Sequence, residues 1–233
     1  MELSRRDVLI ASGAGIVGWS AAYKAIEIQS GRTDQEPSQN KDINLQLNNR
    51  PLLGNSDSDI IIVYWSDYQC PFCARFEQNT LPKLQSQYIN TGEANLIMKP
   101  VDFFGQDSQN SALSIHCVIN QLEKPSRLIW DWHTLLHSKY TGDRNTGWAT
   151  PQKLGDYATR SEFNSIDSDE LVSCVQNKTH MDKIQLDTQE GKDLGLQGTP
   201  FFLFLNTQTG SWETLSGAQP FGKFETAIDS IKE

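Results

Sequence analysis

From about residue 43 onward the chain switches between two hydrophobic periods. Ile43 to Leu47 places an apolar residue at every second position, the period of a half-buried strand, and predicts a first short strand. Pro51, Gly54 and Asn55 mark a turn. Ile60-Ile61-Ile62-Val63-Tyr64-Trp65 then runs without a polar interruption, which predicts a central strand covered on both faces. Phe76, Leu81, Leu84 and Tyr88 recur at helical spacing, predicting one helix from Cys70 to about Asn90 with Gly92 just beyond it; Ala94 to Val101 predicts a third strand.

Between Ser108 and about Leu194 the pattern is helical throughout, with capping residues and few β-branched runs. It predicts helices over Ser108 to Leu122, about Ser126 to Ser138, from near Pro151, from Asp167, and from about Lys178 to Leu194. Phe201 to Asn206 returns as a strand, Thr207 to Gly210 turns, Ser211 to Leu215 pairs back as a hairpin, and Pro220 opens a last helix to Lys232. The order is β, β-α-β, a helical block over about 108–194, then β-β-α. Sheet elements flank the helices on both sides, so one α/β domain over 43–233 with an inserted all-helical subdomain accounts for the layout; separate helical and sheet domains do not.

The first 42 residues read differently. Arg5-Arg6 precedes a weakly apolar, Gly- and Ala-rich stretch reaching about Ile26, diluted by Gly13, Gly15, Gly18, Ser12 and Ser20. That is the pattern of a twin-arginine export signal over 1–26, with an uncleaved membrane anchor or an amphipathic helix as alternatives. Residues 27–42 are polar, carry Gly31 and Pro37, and read as a flexible linker. Export places the domain outside the cytoplasm, at the cell surface or in a periplasm-like space. The chain carries 29 acidic against 20 basic residues, a net charge of −9, which argues against nucleic acid or anionic lipid as a partner.

The densest chemistry is Cys70-Pro71-Phe72-Cys73. A strand running into Cys-x-x-Cys at a helix start is the arrangement of a thioredoxin-type redox site, which predicts a thioredoxin fold for the domain and thiol–disulfide exchange as its reaction. Residues i and i+3 in a first helical turn bring their Cα atoms to roughly 5–6 Å, within reach of a disulfide. Pro71 suits the first helical position. Cys70 then becomes the N-cap, its sulfur over unpaired N–H groups and the positive end of the helix dipole, where a thiolate is stabilised. Cys73, a turn deeper, is expected to be the resolving thiol. Half of a zinc site needs a second ligand pair, and the other cysteines, Cys117 and Cys174, are isolated; an inert structural disulfide is the remaining alternative.

Cys117 and Cys174 fall on two different predicted helices of the insert. Export favours a structural disulfide between them; two buried thiols or a second redox pair are the alternatives. His133 and His137 stand at i, i+4 on one predicted helix. No glutamate or third ligand is placed with them in the sequence, and their aromatic neighbours suggest helix packing rather than metal binding. Thr199 precedes Pro200 and a strand: if the bond is cis, the Thr199 backbone is left free to pair with an extended substrate chain, and a simple turn is the alternative.

Two segments carry a family resemblance. Trp65-Ser66-Asp67-Tyr68-Gln69-Cys70-Pro71-Phe72-Cys73 resembles the active-site signature of the DsbA-like thiol:disulfide oxidoreductases, and Gly198-Thr199-Pro200-Phe201 resembles their second hallmark. Trp130-Asp131-Trp132-His133 with Leu135-Leu136 is similar to their helical-insert signature. The likeness runs from about Asn44 to the C-terminus, and with the twin arginines and acidic charge it is similar to secreted haloarchaeal members. It implies Cys70 and Cys73 as catalytic, Thr199 and a cis Pro200 as substrate-binding, and Pro71 and Phe72 as tuning residues. It implies no cofactor, thiol- or disulfide-containing proteins as substrates, and a redox partner at the membrane. Two positions depart from the pattern. Phe72 stands where more oxidising members carry histidine, so a higher Cys70 pKa than theirs is expected. Tyr64 stands where many carry a buried glutamate. Outside catalysis, the competing function is a binding or chaperone module whose disulfide is structural.

Overall fold

The computed structural model describes residues 9–10, 26–28, 43–122 and 127–232. Strands β1 (Leu9–Ile10), β2 (Ile26–Ile28) and β3 (Ile43–Leu45) form a small antiparallel sheet. Most of the segment read as leader and linker lies outside the described residues, and β2 falls on its boundary. The alternating strand expected from residue 43 is therefore present but belongs to this small sheet. Its buried side chains Ile43, Leu45 and the following Leu47 pack on the back of the main sheet, against Ile61, Val63 and Trp65. The same alternation serves a segment lying across a sheet as well as one paired within it.

The main sheet has an edge strand where a turn was expected, β4 (Leu52–Leu53). Next come β5 (Ile60–Ser66), α1 (Pro71–Asn79), α2 (Leu81–Leu84) and β6 (Ala94–Pro100). Every position of β5 is buried, because the strand has a hydrophobic layer on each side. Ile60, Ile62 and Tyr64 face Phe76 and the helical insert, while Ile61, Val63 and Trp65 face the back layer. The single helix expected from Cys70 to Asn90 is broken after Asn79. Pro82 has no N–H to donate, so the chain resets at Thr80 and finishes in one π-helical turn over Gln85–Ile89.

The insert comprises α3 (Gln106–Gln121), α4 (Arg127–Lys139), α5 (Pro151–Ala158), α6 (Ser168–Gln176) and α7 (Met181–Asp193). It starts at Gly105, whose φ of 103° and lack of a Cβ are both needed: a Cβ there would lie 2.6 Å from the Asn145 side chain. The last insert helix starts later than expected, at Met181, because Lys178 turns left-handed (φ 52°) and ends the preceding one. Strands β7 (Phe201–Asn206) and β8 (Trp212–Ser216) and helix α8 (Phe221–Ser230) complete the domain. The sheet order is β4-β6-β5-β7-β8, with β5 and β6 parallel and the other pairs antiparallel. This is a thioredoxin fold with a helical subdomain inserted between its halves. No helix of the described residues is long and apolar enough to cross a membrane.

An ion cluster fixes α7 beneath the sheet. Arg50 Nε donates to both oxygens of Asp187 at 2.9 Å. Lys99 Nζ donates to Asp187 Oδ1 at 2.8 Å, to Gln46 O at 3.0 Å and to Glu190. Two cations face two carboxylates with their hydrogen bonds made, the condition under which buried charge is tolerated.

Candidate active site

The site begins where β5 ends. Asp67 is buried in the loop that follows, and its carboxylate is a bracket. It accepts from Gln69 N at 2.8 Å, Phe103 N at 2.7 Å, Phe104 N at 3.3 Å and Ser108 Oγ at 2.6 Å. Burial pushes its pKa up, and these four donors oppose the rise. Gln69 extends the bracket: its amide donates to Phe104 O, Ser108 Oγ and Asn145 Oδ1, and its oxygen accepts from Asn145 N at 2.6 Å. The loop preceding the cysteines is thus tied to α3 and to the insert. Asp67 is a positioning group, and Gln69 is one that the sequence did not single out.

Cys70 is the N-cap of α1, with extended φ and ψ of −92° and 115°, and Pro71 occupies the first turn. Both Cys70 and Cys73 are free thiols and both are buried. Their environments split them. The Cys70 thiol is lowered from an ordinary value near 9 to about 6. The hydrogen bond from the Cys73 thiol is the largest cause, opposed by burial and helped by the Thr199 side chain and the Cys73 and Phe72 N–H groups. Cys73 is pushed well up, by burial first and by its partner sulfur second. Phe72 is 50% exposed, with the Arg75 guanidinium 5.2 Å from its ring centroid. Residue 72 therefore lowers the Cys70 pKa through its backbone N–H rather than through its side chain.

The second hallmark arrives from β7. The Thr199–Pro200 bond is cis, and Thr199 O lies 3.1 Å from Cys70 Sγ, whose S–H donates to it. The Thr199 carbonyl, expected to be free for substrate, is engaged by the thiol in this dithiol form. Cys117 and Cys174 stand elsewhere: they form a disulfide that ties α3 to α6, with Cα atoms 6.0 Å apart.

Behind Cys73 lies a polar group that periodicity did not reveal. The Tyr64 hydroxyl accepts from Ser66 Oγ at 2.8 Å and is in hydrogen-bond contact with Cys73 and Glu77. Glu77 Oε1 accepts from His133 Nε2 at 2.9 Å, and the Tyr68 hydroxyl is 2.8 Å from His133 Nδ1. Burial pushes the Glu77 pKa up, but His133 and His137 outweigh it and hold the carboxyl below its ordinary value. The reading that no glutamate is placed with His133 and His137 is thereby corrected. Glu77 reaches them from the neighbouring helix, a proximity set by tertiary packing and invisible to local spacing.

The family model described as Thioredoxin matches residues 46–229. The chain belongs to this family. Disulfide bond formation protein D of Bacillus subtilis is 29% identical over 66% of this chain and 67% of its own length, and a probable protein of the same name from Bacillus anthracis is 24% identical over 64% and 66%. The crystal structure of oxidised BdbD from Bacillus subtilis superposes with a TM-score of 0.69 at 26% identity, covering 79% of this chain and 94% of that one. The Wolbachia pipientis alpha-DsbA1 structure gives 0.64 at 23% identity, covering 80% and 92%, a likeness of fold. Within the thioredoxin family its enzyme class is protein thiol:disulfide oxidoreductase.

Proposed function

We propose that this protein is an exported oxidoreductase that makes or reshuffles disulfides in extracytoplasmic proteins, with Cys70 as its nucleophile and Cys73 as its resolving thiol. One observation carries the reading. Of two free thiols three residues apart, Cys70 caps the helix N-terminus 3.1 Å from Thr199 O and Cys73 lies buried a turn deeper; the pKa of the first is lowered and that of the second raised. A low-pKa thiol is a good leaving group, and stabilising its thiolate favours the dithiol form, so the Cys70–Cys73 disulfide is an oxidant.

In the oxidising direction a substrate thiolate attacks Cys70 Sγ of the disulfide, and Cys73 leaves as a thiolate that takes up a proton. A second substrate thiolate then attacks the substrate sulfur of the mixed disulfide and expels Cys70 as a thiolate. The substrate gains one disulfide, and the enzyme gains two electrons in its dithiol. Once Cys70 carries no S–H, the Thr199 carbonyl is released from it. That carbonyl is then open to an N–H of an extended substrate, beside the cis Pro200. Run backwards, the same steps make the protein a reductase: Cys70 attacks and Cys73 resolves. Turnover as an oxidase needs an acceptor for the two electrons, assigned here to a redox partner at the membrane. The twin arginines support the extracytoplasmic setting.

Oxidation of a reduced, unfolded test protein by the disulfide form checks the reading, with Cys70→Ser as the comparison. Wild-type protein is expected to form the test protein's disulfides stoichiometrically and the variant none. Equal activity of the variant would leave a thioredoxin-fold binding or chaperone module.

A further inference from the structure

The exchange chemistry needs two sulfurs, yet a carboxylate and two imidazoles converge behind them. His133 and His137 stand on successive turns of α4, and Glu77 meets them from α1. Glu77 Oε1 is 2.9 Å from His133 Nε2 and 3.9 Å from His137 Nε2, and the three donor atoms lie within 4.8 Å of one another. Ligand atoms bound to a tetrahedral zinc-type ion at about 2.0–2.1 Å stand roughly 3.3 Å apart. The observed spacings bracket that value, so small side-chain rotations suffice to admit an ion.

Three further observations point to a ligand. His137 is buried, its side chain 7% exposed, yet Nδ1 has no hydrogen-bond partner among the described residues and Nε2 meets the Ser66 hydroxyl at a long 3.4 Å. A buried imidazole so poorly satisfied is costly unless something else binds it. His133 is oriented by the Tyr68 hydroxyl at Nδ1, the outer contact that fixes a ligating imidazole so that Nε2 faces the metal. A cavity of about 590 Å³ is lined by both Glu77 and His137, with Thr134, Asp131 and Trp130 around them, and gives an entry path and room for a water ligand.

We propose that Glu77, His133 and His137 form a mononuclear site for a divalent transition-metal ion of the zinc type, with water from the cavity as the fourth ligand. Two imidazoles and one carboxylate suit zinc or cobalt over calcium or magnesium, which take oxygen ligands. The His133 ring proton moves to Nδ1 and is donated to the Tyr68 oxygen, leaving the Nε2 lone pair for the ion. Glu77 touches Tyr64, and Tyr64 touches Cys73, so the ion adds positive charge two side chains from the resolving thiol.

The test uses the full chain without a histidine tag and with the Cys70–Cys73 disulfide closed, so that neither sulfur can ligate and the outcome is separate from the redox reading. Cobalt(II) and zinc(II) are titrated by absorbance and calorimetry. The expected result is one ion per chain, with the strong visible bands of four-coordinate cobalt and no sulfur-to-cobalt charge-transfer band. Glu77→Gln and His137→Gln, each checked for folding by circular dichroism, are each expected to weaken binding at least tenfold. Weak binding of several ions displaced by calcium, an octahedral or sulfur-ligated cobalt spectrum of the wild type, or folded variants that bind as wild type would each overturn the proposal. The spectrum is read on the wild type, so the test survives variants that fail to fold.

Discussion

The molecule holds two cysteine pairs that its structure treats in opposite ways. Cys117 and Cys174 are 57 residues apart in sequence and joined, a cross-link between α3 and α6. Cys70 and Cys73 are one helical turn apart and unjoined, at the end of a fully buried strand. Burial does not by itself make a cysteine reactive, since Cys117 is as fully buried as Cys70 and Cys73, with Cys174 half-buried beside it. What differs is the polar surroundings. Cys70 receives a thiol hydrogen bond and backbone N–H groups at a helix N-terminus, beside the Thr199 carbonyl. Cys117 lies in an apolar cluster with Cys174 packed against it. A sulfur becomes a reagent when its thiolate is stabilised and a staple when it is not.

Substitutions separate the two roles, and the largest effect belongs to the first pair. Cys70→Ser is expected to lower oxidation of a reduced test protein by at least about a thousandfold, since the nucleophile itself is lost. The double change Cys117→Ser with Cys174→Ser is expected to leave turnover per folded molecule within about twofold. Its cost falls on unfolding, about 2–4 kcal/mol in denaturant titration, because a long loop in the unfolded chain is released. Turnover lost in proportion to that pair would show it to be a second redox centre.

Smaller changes probe the bracket around the reactive pair. Asp67→Asn keeps the shape but removes acceptor capacity from a buried group holding four donors. It is expected to lower stability by about 1–3 kcal/mol and to slow turnover, with no effect on the second disulfide. Tyr64→Phe keeps the stacking on Phe202, at 5.0 Å between centroids, and removes the hydroxyl that touches Cys73 and Glu77. A severalfold longer lifetime of the mixed disulfide is expected in quenched-flow trapping, with the Cys70 titration unchanged. An unaltered lifetime would remove Tyr64 from proton handling at Cys73.

Much of this was legible in the chain. The β5 run, the Cys-Pro-Phe-Cys turn and Gly198-Thr199-Pro200 are local signals, and each appears where the sequence put it. Elements whose identity depends on neighbours were not legible. Leu52–Leu53 is two residues long and becomes a strand by pairing with β6, and the 70–90 helix breaks after Asn79, three residues before Pro82 with its missing N–H. The Glu77–His133–His137 group and the Lys99–Asp187 cluster each join side chains from separate elements. Their sequence separations, 56 for Glu77 to His133 and 88 for Lys99 to Asp187, carry no periodic trace. A stabilised Cys70 thiolate was legible from the N-cap position, but the Cys73 thiol and the Thr199 side chain, which join the backbone N–H groups in lowering it without a histidine at 72, were not.

The account rests on Cys70 being a thiolate near neutral pH. Its folded value lies below the ordinary one, so the stabilisation it gives the dithiol form is complete above about 9. That stabilisation declines between 9 and 6 and is gone below 6. The direct measurement is the pH dependence of thiolate absorbance in the reduced protein, paired with the rate of Cys70 alkylation; the Cys117–Cys174 disulfide contributes nothing to either titration. A single transition with a midpoint near pH 6, mapped to Cys70, is the predicted result. A midpoint near 9, or a first alkylation at Cys73, would contradict the assignment of nucleophile and resolving thiol.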